Sequence, residues 1–366
     1  MTRPTRITWT SAVPVLAALL LALTWGRHPG APVLVAVAVA LVGAVLAAVH
    51  HAEVVAHRVG EPYGSLILAV AVTVIEVGLI VTLMASGGKD TAALARDTVF
   101  AAVMISINGI VGLSLVVSAL KHHLAVFNPE GTGSALATVI TLAAVCLVLP
   151  SFTTSEPGPE FDSSQLAFAA VASLVLYGLF VFTQTVRHRD FFLPVDRDGV
   201  TIDDESGHAH ADPPSVRTTR LSLGLLGLAL VAVVGLAKIE SPAIEDAVAS
   251  LGFPHAVVGV VIALLVLLPE SISAVRAAAR EQVQISLNLA YGSAMASIGL
   301  TIPTIAVASI WLDGPLHLGL EPTQIVLLSL SVVVGILTVV PGRAKPLAGG
   351  VHLVLLAAFV FLTIRP

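Results

Sequence analysis

The sequence predicts an all-α polytopic membrane protein of about eleven transmembrane helices, arranged as one N-terminal helix followed by two inverted five-helix repeats. Three observations predict it. The 366 residues are 56% hydrophobic and only 11% charged, with a mean hydropathy of +0.97, whereas a soluble domain carries roughly 25% charged residues. Polar breaks cut the chain into apolar runs, many of them as long as the ~20 residues a helix needs to cross hydrocarbon. The order of features in the first half also recurs in the second, offset by an odd number of spans.

Taken in order, the runs fall at 9–26, 31–50, 64–86, 98–120, 132–150, 164–185, 220–237, 255–275, 284–311, 323–341 and 347–364. The first follows Arg3 and Arg6 and resembles a signal peptide, but further spans come at once, so it reads as an uncleaved helix. Pro and Gly punctuate the breaks, as in GRHPGAP, SEPGPE and PGRAKP. Val, Ala, Leu and Gly dominate the runs, the composition of membrane helices whose backbones approach closely. Alternating strand-like segments are absent, which argues against a membrane β-barrel. A net charge of −5 points to no nucleic-acid partner. Cys146 stands alone in an apolar setting and reads as a packing residue.

With the N-terminus cytoplasmic, 13 of the 18 Lys and Arg fall in inside loops, which satisfies the positive-inside rule and puts the C-terminus outside. This orientation suggests a bacterial cytoplasmic (inner) membrane. The stretch 187–219 is acidic and His-rich and splits the chain. The organisation is therefore an N-terminal helix at 1–30, a first five-helix repeat at 31–186, a linker at 187–219 and a second repeat at 220–366. Asp203, Asp204, Glu205, His208, His210 and Asp212 in the linker could hold a cation weakly, but the composition is that of a solvated segment.

The repeat rests on shared order. Ala95-Arg96-Asp97-Thr98-Val99 matches Ala279-Arg280-Glu281-Gln282-Val283, and eleven residues beyond the acidic position stand Asn108-Gly109 and Gly292-Ser293. An apolar run with a single Glu precedes each signature, and a short amphipathic connector precedes each run: HHAEVVAHRVGEPYG and IESPAIEDAVASLGFPH. Five spans per copy force the second copy to enter the membrane upside down. Inverted repeats are characteristic of secondary transporters, whose sites lie near the midplane.

Glu76 and Glu270 are those two lone charges. A charge at bilayer depth costs about 3 kcal/mol even on lenient scales, so such residues usually face a cavity and carry function. Glu76 lies one residue from the midpoint of Glu61 and Lys89, and Gly109 is the midpoint of Asp97 and Lys121, which sets Glu76 and Asn108 at one level. Glu270 is about 7–8 Å off centre at 1.5 Å per residue and follows Pro269, which removes an amide donor and frees a carbonyl. The following helix is unusually polar, with Ser286, Asn288, Tyr291, Ser293, Ser297 and Thr301. Two carboxylates, the Asn108 amide, the hydroxyls of Thr73, Ser271 and Ser293, and backbone carbonyls make a set of hard oxygen ligands suited to Ca²⁺, which takes 6–8 of them. Protons compete for the same oxygens, which is the physical basis of exchange. The bland reading is interhelical glue for the carboxylates, bonds within their own helices for the hydroxyls, and close packing for Gly109 and Gly292.

His50, His51, Glu53 and His57 form a second cluster at the cytoplasmic end of the second span. Metal ligation is conceivable. The order His-x-Glu-x-x-x-His is not that of the zincins, and an interfacial amphipathic helix suits it better.

In these stretches, EPYGSLILAVAVTVIEVGLIVTLM, ARDTVFAAVMISINGIVGLSLV and LLPESISAVRAAAREQVQISLNLAYGSAMASIGLTIP, the chain resembles the calcium/cation antiporter superfamily, specifically the ChaA-type cation/proton antiporters. The resemblance covers most of the chain. It implies eleven helices with two inverted repeats, each supplying one Glu to the cation site, here Glu76 and Glu270, with Asn108-Gly109 and Gly292-Ser293 in the places of the family's Gly-Ser pairs. It also implies export of Ca²⁺ or Na⁺/K⁺ against protons, with no resident cofactor, no catalytic reaction and no obligate protein partner. The chain departs from the Gly-Asn that many proton-coupled calcium exchangers carry before each Glu: apolar residues around Val72 and Leu267 take those places. The competing expectations are a Na⁺/Ca²⁺-type exchanger without proton coupling, a passive cation channel, and a membrane metalloenzyme built on the histidine cluster.

Overall fold

A computed structural model describes residues 8–27, 29–60, 63–85, 91–196, 200, 214–311 and 314–366. It contains eleven apolar helices: α1 (Trp9–Thr24), α2 (Ala31–Val59), α3 (Tyr63–Ala85), α4 (Leu94–His122), α5 (Pro129–Ser151), α6 (Ser163–Arg187), α7 (Val216–Ser250), α8 (Ala256–Ala278), α9 (Val283–Ala308), α10 (Pro322–Val339) and α11 (Pro346–Ile364). Ten are long and apolar enough to cross a membrane, and α1, of 16 residues, is shorter. The expected connectors are not separate elements. Their first parts continue α2 to Val59, where Gly60 at φ 76° ends it, and α7 to Ser250, just short of Gly252 at φ 70°, with Pro242 accommodated inside α7.

The described residues cluster into two compact units, and each takes helices from both sides of the 187–219 stretch. The first unit holds α1, α2, α3 and α7. Its longest helices, α2 and α7, pack along each other, with α1 and α3 against them. Glycines make the notches that let these backbones approach. A Cβ on Gly235 of α7 would stand 2.5 Å from Leu21 of α1, and one on Gly78 of α3 would stand 2.5 Å from Val234 of α7.

The second unit holds α4, α5, α6 and α8 to α11. Helix α4 is its buried centre and packs against α8, α9 and α11. Two-residue strands β1 (Ala125–Val126) and β2 (Arg343–Ala344) pair antiparallel, Ala125 with Ala344 and Val126 with Arg343, and tie the chain after α4 to the turn between α10 and α11. Local signals fix the helix starts. Asn128 caps α5 by accepting from the amides of Glu130 and Gly131, with Pro129 in the first turn. Asp162 with Gln165, and Glu321 with Gln324, form capping boxes at α6 and α10. The Ser164 hydroxyl and the Gln165 amide hold the Asp162 carboxyl below its ordinary range. Pro303 offers no amide to the Gly299 carbonyl, and α9 is interrupted at Leu300.

Candidate functional site

In the first unit, Glu76 is 2% exposed on α3, with Thr73 buried one turn earlier on the same face. The Thr73 hydroxyl has no hydrogen-bond partner among the described residues. A buried hydroxyl without a protein partner is suited to an ion or a water.

In the second unit the polar centre is one turn of α4. Over Ile105–Ile110 the helix widens into a π-helical turn, a local expansion that recurs at functional sites. Asn108 sits in that turn and is fully buried. Its amide nitrogen donates to Ser331 Oγ at 2.8 Å, and its Oδ1 lies 3.1 Å from His352 Nδ1. His352 Nε2 lies 3.2 Å from Thr338 Oγ1. The π turn packs against α8, α9, α10 and α11, so the second unit brings the helices of Glu270-Ser271 and Gly292-Ser293 around Asn108-Gly109. Ser106, in the same turn, is buried with its hydroxyl unpartnered among the described residues.

The other expected residues divide. Glu270 is buried on α8 after Pro269, which lies inside the helix and leaves the Leu265 carbonyl without an amide donor. Ser271 is half-buried and donates to Leu267 O of its own helix at 2.7 Å. Gly109 packs closely, because a Cβ there would stand 3.1 Å from Leu356 Cδ2 of α11. Gly292 and Ser293 are half-buried, and a Cβ on Gly292 would meet nothing within 4 Å. The polar groups of α9 turn inward: Ser286 bonds Ser114 at 2.5 Å, Asn288 donates to Phe192 O at 2.7 Å, and Tyr291, Ser297 and Thr301 are buried.

The histidine cluster does not converge. His51 is buried, its Nε2 2.9 Å from Thr10 O and its Nδ1 3.2 Å from Ser222 Oγ, while His50, Glu53 and His57 are exposed. A helical spacing of one residue turns His51 about 100° away from His50, so the four cannot share an ion. Among the described residues no three His, Cys, Asp or Glu side chains are grouped to hold a metal. Asp203, Asp204, Glu205, His208, His210 and Asp212 of the linker, and Glu61 and Lys89, lie outside the described residues.

Two features escaped the sequence reading. The Ser331–Asn108–His352–Thr338 chain joins residues from three separate helices. Arg96 and Asp97, expected in a loop ahead of a span starting at 98, are buried in the first turn of α4. Arg96 Nε donates to Asp97 Oδ1 at 2.8 Å, Nη1 to Gly319 O at 3.3 Å and Nη2 to Glu321 Oε1 at 3.2 Å. Pairing makes the burial of both charges tolerable.

A family model described as sodium/calcium exchanger protein matches residues 30–186 and 221–365. A chain of Sinorhizobium fredii (strain NBRC 101917 / NGR234) carrying the name ionic transporter y4hA is 44% identical over 98% of this chain and 96% of its own. The sodium-potassium/proton antiporter ChaA of Escherichia coli (strain K12) is 35% identical over 95% of this chain and 93% of its own. Among solved structures, native YfkE superposes with a TM-score of 0.73 at 16% identity, covering 98% of this chain and 99% of that one, a likeness of fold.

Proposed function

This chain belongs to the sodium/calcium exchanger family, and from that premise we propose that it is a secondary active antiporter of the cytoplasmic membrane, exporting Ca²⁺ and/or Na⁺/K⁺ in exchange for H⁺. The observation that carries the reading is the burial of Glu76 and Glu270, the first the lone charge of α3 and the second the only charge of α8 ahead of Arg276 in its last turn. The identity with a sodium-potassium/proton antiporter along nearly the whole chain supports the proton coupling.

In this reading the two carboxylates take the cation when deprotonated and release it when protonated. Asn108, Thr73, Ser271 and Ser293, with backbone carbonyls near Gly109, Gly292 and Pro269, supply the further oxygens a hard cation requires. Proton and cation occupy the same oxygens in alternation, so neither crosses without the other. The ions are cargo, no cofactor takes part and no bond is made or broken, so the protein is not an enzyme. The distribution of Lys and Arg supports a cytoplasmic N-terminus and a C-terminus outside.

Reconstitution in liposomes with an imposed pH gradient tests this. Addition of Ca²⁺, Na⁺ or K⁺ should collapse the gradient, and Glu76→Gln and Glu270→Gln should each abolish the response. Full activity in both variants removes them from the site. Ion flux at channel rates, independent of protons, makes the protein a channel. Exchange of Na⁺ for Ca²⁺ with the pH gradient intact removes the proton coupling.

A further inference from the structure

The second unit holds a buried, titratable side chain that the exchange chemistry does not use. His352 lies in the last helix, in the apolar run AGGVHLVLLAAF, and is 1% exposed. A close crossing of α4 and α11 brings it to Asn108. A Cβ on Gly349 would stand 2.6 Å from the Gly112 carbonyl, so only paired glycines permit this approach. His352 follows Gly349 by one turn, and Asn108 precedes Gly112 by one turn. The contact that sets the helix spacing therefore also sets the His–Asn bond.

The direction of every hydrogen bond in the chain can be worked out. Ser331 Oγ–H donates to Leu327 O at 2.8 Å, so toward Asn108 the hydroxyl can only accept. The Asn108 NH₂ must face Ser331, as the 2.8 Å bond has it. Its carbonyl oxygen then faces His352, and a carbonyl only accepts, so His352 Nδ1 carries the proton. In the neutral ring Nε2 is the acceptor, and Thr338 Oγ1–H donates to it. The chain runs one way: Thr338 to His352 to Asn108 to Ser331 to the α10 backbone. It locks the Asn108 amide against rotation and leaves Oδ1 one lone pair to offer.

We propose that His352 is a positioning residue for cation binding, its Nδ1–H acting with Ser331 to hold the Asn108 carbonyl oxygen in the orientation that serves the transported ion. The proposal rests on the reading of Asn108 as a cation ligand. Removing a hydrogen-bond partner that orients a ligand typically lowers metal affinity about 10–100-fold.

Two isosteric variants give the test. In His352→Asn the amide nitrogen takes the place of Nδ1 and still donates to Asn108. In His352→Gln the amide takes the place of Nε2, meets Thr338 and leaves Asn108 held by Ser331 alone. Both keep a polar group at the buried position. Full-length protein in liposomes is titrated with Ca²⁺ and with K⁺, and the half-saturating concentration and the maximal rate of proton release are read separately. The expected result is a rise of about 10–100-fold in the half-saturating concentration for His352→Gln, with His352→Asn close to wild type and the maximal rate retained. Any other order of the two variants overturns the proposal, including equal shifts in both, which mark a packing role. Asn108→Ala is measured beside them. If it shifts the cation dependence while neither His352 variant does, His352 loses its role and Asn108 keeps its own. If Asn108→Ala shifts nothing, Asn108 leaves the site and the proposal falls with it, whereas antiport itself is judged by Glu76→Gln and Glu270→Gln.

Discussion

Helices α4 and α9 occupy matching places in the two repeats, yet they are built differently. In α4 the Arg-Asp signature is a buried ion pair fastened to the start of α10, and the residue eleven positions on, Asn108, is fully buried and bonded to α10 and α11. In the copy leading to α9, Arg280 and Glu281 are exposed in the turn before the helix, with Glu281 at φ 66°. The residue eleven positions on is Gly292, half-buried beside open space. The same order of residue types thus serves once as a buried polar strut and once as an exposed turn leading into a helix whose glycine position is less closely packed. A shared order of residues does not fix environment, because the burial of a charge or an amide is decided by what packs on it. Helix α4 packs against α8, α9, α10 and α11.

The sharpest way to break this contrast is at the signature. Arg96→Ala strands the Asp97 carboxylate in a buried site and should destabilise by about 3–5 kcal/mol, whereas Arg280→Ala should change stability by less than about 0.5 kcal/mol. Thermal unfolding in detergent compares them, and equal effects would dissolve the distinction. A smaller effect is expected at the glycines. A Cβ on Gly112 would meet the Gly349 carbonyl at 3.0 Å and His352 Cβ at 3.1 Å, so Gly112→Ala should cost roughly 1–3 kcal/mol. Gly292→Ala meets nothing and should stabilise, by up to about 1 kcal/mol from helix propensity alone. Opposite signs in the two melting-temperature shifts are the outcome to look for.

The smallest effect is the pH dependence at Asp162, outside the membrane-spanning helices. Its carboxyl is held below the unfolded value of about 3.9 by the Ser164 hydroxyl and the Gln165 amide. The stability it contributes is present above that value and is lost as pH falls through the folded one. Melting temperatures of wild type and Asp162→Asn should therefore converge as pH falls below about 4, by a small amount because the group is exposed. A constant difference down to pH 3 would remove the capping carboxylate from the account.

Much of this was legible in the residues. Apolar run lengths placed all eleven helices, because in hydrocarbon the backbone leaves no other solution for a single-chain helix bundle. The ends of α2 and α7 were not legible: their amphipathic continuations carry charges that stop a hydropathy run without stopping a helix. Arg96 and Asp97 were assigned to a loop for the same reason, since a sequence shows charge but not the partner that neutralises it. The lone charges Glu76 and Glu270 announced themselves. His352 carried the same signal, one titratable group in an apolar run, but a neutral imidazole costs less to bury than a carboxylate and draws less notice. Its link to Asn108 depends on a helix crossing that no local pattern encodes.

That crossing also has a consequence in time. Asn108 finds its partners 223 and 244 residues further along the chain, in α10 and α11. At synthesis rates of about 5–20 residues per second, helix α4 must wait roughly 12–50 s for the last of them. During that interval it is a membrane segment with an amide facing lipid or a stand-in partner, and the ribosome is still making the helix that will complete it. The C-terminal helix is thus the closing member of the polar centre. A chain that stops short of it leaves the Asn108 carbonyl oxygen without its His352 partner, in the centre of the second unit.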